Sequence, residues 1–208
     1  MKGFTLIEIM TVMMIILFIW GSVSLLIRPQ ISSEIIRDQQ RIADLKALEL
    51  AVLMYLQQSS NIDLDGPSYT NSGKDEIAPR MFISIPYEDI DLRNATTNDA
   101  GVIWTITQTS KTIINRNDGV GWLPINFRSL IYPPIYTLPV DPSNNFSQKL
   151  FYTYVFNRAN KTFEIDARLE SKRYGKNGPE DQVSTDAGDN DNLLEVGSNR
   201  FLMTNGLY

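Results

Sequence analysis

The chain has 208 residues, with 19 Lys and Arg against 24 Asp and Glu and a net charge of −5, a balance that argues against a general nucleic-acid binder because phosphate contacts need a basic surface. It contains neither cysteine nor histidine, which excludes disulfides, thiolate or histidine metal sites, and Ser–His–Asp or Cys–His catalysis. Carboxylate-pair hydrolysis survives this filter, and the length suits one domain of ordinary size plus an appendage.

The first fourteen residues read MKGFTLIEIMTVMM, and from Phe4 to Ile27 the only charged side chain is Glu8. As a helix this run extends roughly 36 Å, enough to cross about 30 Å of hydrocarbon with some tilt. It is longer than the roughly 7–15-residue apolar region of a secretory signal. A membrane-spanning helix over 4–30 is therefore expected. A carboxylate inside such a helix needs a partner. The nearest positive charge in the chain, Lys2, lies at the wrong end, so the sequence assigns that partner to another chain.

Lys2-Gly3-Phe4-Thr5-Leu6-Ile7-Glu8 resembles the class III signal of type IV pilins and pseudopilins. The resemblance implies that residues 1–3 are a leader, cut between Gly3 and Phe4 by a prepilin peptidase, and that Phe4 is then N-methylated. It implies subunit assembly through Thr5 and Glu8, with the Glu8 carboxylate of one subunit meeting the Phe4 amine of the next. It further implies a homo-oligomeric helical filament built by an inner-membrane assembly platform. The chain would be a single-pass protein of the inner (cytoplasmic) membrane before assembly and part of an extracellular pilus afterwards. Adhesion, motility or DNA uptake are the roles that go with it, without enzymatic activity or a required cofactor.

After Arg28 and Pro29 the helical pattern resumes. Ile35, Ile42, Leu45, Leu48, Val52 and Leu56 step by three, four or seven, the spacing of one helical face. Ser32 or Ser33 suits its start and Ser59-Ser60-Asn61 its end. One long N-terminal helix is expected to run to about residue 59, its 31–59 half amphipathic and laid on a globular domain. RIADLKALELAVLMYL is similar to the post-membrane helix of many bacterial pilins. The family's usual proline inside the helix is replaced by Leu25, and Gly21 and Pro29 mark a stretch that loosens.

Residues 60–137 read as a variable region of loops with short β-like runs, MFISI, VIWTITQ and WLPINF. Residues 138–208 open on LPVDP, similar to the LPxDP segment of pseudopilins and many pilins, but with Ser143 where pseudopilins usually carry an aromatic. A hairpin follows, FYTYVF joined to TFEIDARL. Phe163, Ile165, Ala167 and Leu169 fall on one face and Glu164, Asp166 and Arg168 on the other, so the acidic side is expected to face solvent. The fold class expected is α+β, type IV pilin-like: a long helix packed on a small antiparallel sheet.

In the tail, Asp186, Asp189 and Asp191 crowd together with Glu195 near. Hard oxygen ligands in a loop suit calcium, although no EF-hand spacing is present; a solvated acidic loop is the plainer reading. A type IV pilus subunit leads among the functions. A type II secretion pseudopilin is the alternative, supported by LPVDP and the acidic tail and opposed by Ser143 and the long variable region. A membrane-anchored carboxylate enzyme is more distant.

Overall fold

A computed structural model describes residues 5–26, 29–66 and 79–208. The chain divides into two compact units, 1–34 and 35–208. The leader and the Gly3–Phe4 bond lie outside the described residues.

The first unit holds helix α1 (Leu6–Leu26). Its sequence is apolar on every side. Two of its hydroxyl side chains turn back on the helix: Thr11 Oγ1 donates to the Ile7 carbonyl (2.7 Å) and Ser22 Oγ to that of Phe18 (2.8 Å). Such local bonds let polar residues sit in an apolar helix without outside partners.

A second helix, α2 (Pro29–Gln58), starts on proline. From residue 35 onward α2 belongs to the second unit. Its buried side runs Asp38, Arg41, Leu45, Leu48, Val52 and Tyr55, alternating steps of three and four.

Six strands follow: β1 (Arg80–Ile83), β2 (Thr96–Asp99), β3 (Val102–Thr107), β4 (Tyr152–Asn157), β5 (Thr162–Ala167) and β6 (Leu194–Gly197). They form one sheet in the order β2-β3-β1-β4-β5-β6. The β1–β3 pair is parallel and the remaining pairs are antiparallel. One apolar cluster joins Leu45, Leu48, Val52 and Tyr55 of α2 to Phe82, Tyr152, Tyr154, Phe163 and Ile165. A second cluster contains Met81, Ile83, Trp104, Ile106, Phe151, Val155 and Met203. Neighbours along β1 and β4 alternate between the clusters, so both faces of the central strands are covered.

The expected pilin-like fold class is corrected by these findings. The helical part is two helices, not one run to residue 59, with α2 opening on Pro29. The sheet is six-stranded and mixed rather than small and antiparallel. Half of its strands come from residues 80–107, within the stretch expected to be mainly loops. WLPINF forms no strand; Trp122, Leu123, Ile125 and Phe127 instead fill the α2-side cluster from an irregular segment.

The expected placement of the chain is corrected too. The single-pass helix over 4–30 would have put it in the inner membrane and later in an extracellular pilus. Among the described residues, however, no helix is long and apolar enough to cross a membrane.

Candidate functional site

Glu8 has a partner inside its own chain. Its carboxylate accepts hydrogen bonds from the Thr5 backbone N–H (2.9 Å) and the Thr5 hydroxyl (2.8 Å), and the Glu8 N–H reaches back to Thr5 Oγ1 (3.4 Å). Thr-x-x-Glu at a helix start is a capping box, in which residue and cap satisfy each other's free N–H groups. Thr5 and Glu8 thus cap the start of α1, a signal that Thr5-Leu6-Ile7-Glu8 carried. The large apolar side chains that follow are exposed all round: Ile7, Ile15, Ile16, Leu17, Phe18 and Trp20 lie on different sides of α1, with Phe18 79% and Trp20 76% exposed. An all-round apolar helix is ordinarily a buried one, and an exposed apolar surface of this extent marks an interaction site.

In the second unit, a buried charged network ties α2 to the segments around Asp141 and Glu170. Arg41 lies wholly inside the protein. It donates to Asp141 through Nε (2.6 Å) and Nη2 (2.9 Å), to Asp38 (2.8 Å) and to Glu170 (2.7 Å). Asp38 in turn accepts the backbone N–H groups of Glu170 and Ser171, and Asp141 those of Ser143 and Asn144. The LPVDP aspartate is therefore structural, receiving the guanidinium of α2 in a two-pronged pair.

A second concentration of charge lies where β5 meets β6. Asp166 stands opposite Glu195 in the antiparallel register, and Glu164 shares the Asp166 face two residues earlier. All three are fully buried, and one oxygen from each lies within 4.8 Å of the others. Glu164 Oε2 accepts the N–H groups of Leu202 (2.7 Å) and Met203 (3.1 Å), and Glu195 Oε2 that of Asn190 (2.9 Å). No N–H or hydroxyl among the described residues donates to Glu164 Oε1, to either Asp166 oxygen or to Glu195 Oε1. Burial pushes the pKa of all three upward, and for Asp166 and Glu195 the neighbouring carboxylates push the same way. The expectation that Glu164 and Asp166 face solvent is corrected: the segment carrying Leu202 and Met203 covers their face.

The loop above this trio brings further negative charge. Asp186 accepts the Glu195 N–H (2.7 Å) and the Gly188 N–H (3.0 Å). Asp189 accepts the Thr204 hydroxyl (3.3 Å), and Asp191 is exposed and paired with Lys176 (2.7 Å). The three aspartates expected to share calcium thus have separate partners. The carboxylates gathered closely enough to share an ion, among the described residues, are Glu164, Asp166 and Glu195. Two of these belong to the strand face expected to be exposed, and the third is only a neighbour of the acidic loop in sequence. The missed signal was FYTYVF, an apolar cluster rather than an alternation, which fits a strand covered on both faces.

No protein-family model, curated protein or solved structure matches this chain.

Proposed function

We propose that this chain is the structural subunit of a type IV pilus-class filament and polymerises with identical copies through its N-terminal apolar helix. The observation that carries the reading is α1, whose large apolar side chains are exposed on every side. Covering such a side chain contributes about 1.5–3 kcal/mol, and a helix apolar all round is served best by several neighbours at once. A contact repeated in the same sense from copy to copy builds an open filament rather than a closed dimer. The pilin-like Lys2–Glu8 stretch supports the same reading: cleavage before Phe4 would create a charged amine next to the Thr5–Glu8 cap.

The absence of cysteine makes a clean test possible. Cysteine pairs placed at least seven residues apart within positions 9–20, too far along the helix to bond within one chain, should give disulfide-linked subunits on mild oxidation of assembled filaments, from pairs on all sides of α1. Cross-links from one side only, or none, would contradict a helix packed among several copies.

A further inference from the structure

We infer that Glu164, Asp166 and Glu195 form a binding site for one hard divalent cation of the calcium type, built into the β5–β6 pair and closed by the loop 186–190. Three carboxylates converge in a space with no solvent exposure, two of them directly opposite each other across antiparallel strands, where like charges repel. Asp166 adds the independent sign. It is completely buried, and no N–H or hydroxyl among the described residues donates to either of its oxygens; its polar contact is the neighbouring Glu164 carboxyl. A buried polar atom left in that condition is costly and needs a counterpart.

The free oxygens have the right chemistry and spacing. One oxygen from each carboxylate falls within 4.8 Å of the other two, and two oxygens on opposite sides of a calcium ion, bonded at about 2.4 Å each, are separated by about 4.8 Å. With no histidine or cysteine in the chain, the donor set is oxygen alone, which favours hard cations over zinc or copper. No Lys or Arg is paired with any of the three among the described residues. Arg200, which flanks the loop, is engaged by the Asp186 carbonyl and by Glu49.

The remaining oxygens are held in place from outside. The N–H groups of Leu202, Met203 and Asn190 fix one oxygen each of Glu164 and Glu195 and leave the other without an N–H or hydroxyl donor among the described residues. Support of this kind around ligand carboxylates sets their orientation. Gly188 lets the loop lie on Glu195, since a Cβ there would collide with the carboxylate.

The test uses the full chain in a non-ionic detergent, stripped with a chelator and titrated with calcium chloride. Calorimetry should show about one ion bound per chain, and calcium a hundredfold above its Kd should raise the melting temperature on the order of 5–10 °C. Asp166→Asn and Glu195→Gln should each abolish the shift, and in chelator should melt at or above the parent because a buried repulsion is gone. Asp191→Asn should keep the full shift. A parent that neither binds calcium nor gains stability from it would overturn the site. So would a shift that survives in Asp166→Asn, or one that disappears in Asp191→Asn.

Discussion

Arg41 and Asp141, a hundred residues apart in the chain, meet as a two-pronged ion pair with no solvent exposure on either side chain. The pair fastens α2 to the LPVDP segment. Removing one partner of such a pair leaves a buried charge without compensation, which typically destabilises by about 3–5 kcal/mol. Asp141→Asn and Arg41→Met are each expected to lose stability of about that size in urea unfolding of the second unit. A loss below about 1 kcal/mol in both would mean the pair does not fasten α2 to the LPVDP segment.

Glu170 gives the network a pH dependence. Partial burial raises its pKa, but the guanidinium groups of Arg37 (2.6 and 2.9 Å) and Arg41 (2.7 Å) outweigh this and hold it below the ordinary carboxylate value of 4.5. A depressed carboxylate pKa contributes stability that is fully present above the unfolded value and is lost as pH falls through the folded one. Glu170→Gln should therefore destabilise the protein at pH 7, and the gap to the parent should close as pH drops below about 4.5. A gap that stays constant from pH 7 to pH 3 would show that the charge of Glu170 contributes nothing.

Glu8 can be tested for a cap role and an assembly role separately. Glutamine at this position retains a capping-box acceptor for the Thr5 N–H but removes the charge. Glu8→Gln is expected to leave α1 helical by circular dichroism and yet reduce filament yield strongly, because a neighbour's amine would lose its carboxylate. Full filament yield from Glu8→Gln would leave Glu8 as a helix cap alone.

The legible parts of the fold were those in which one periodicity dominates. The α2 face from Leu45 to Val52 and the apolar side of β5 stand where the sequence put them, because each follows a single spacing of apolar residues. Strand β2 was hidden since Thr96-Thr97-Asn98-Asp99 has no apolar member and lies at the sheet edge; it is joined to β3 by Ala100 and Gly101, both at positive φ. Strand β6 was hidden in a polar tail. The burial of Asp38 and Arg41 was equally illegible, since charged residues at core spacing read as surface until their partners at 141 and 170 are known. The carboxylate trio needed the β5–β6 register, which depends on a pairing between residues about thirty positions apart.

The most direct measurement is filament yield, by electron microscopy of material recovered from cells producing the chain, after a carboxylate is placed on the apolar helix. Leu17→Asp changes an exposed position of α1 and leaves the 35–208 unit untouched. Abundant filaments from the parent and none from Leu17→Asp, with unchanged melting of the 35–208 unit, is the expected result. Parent-like filament yield from Leu17→Asp, or no filaments from the parent, would contradict polymerisation through the N-terminal helix.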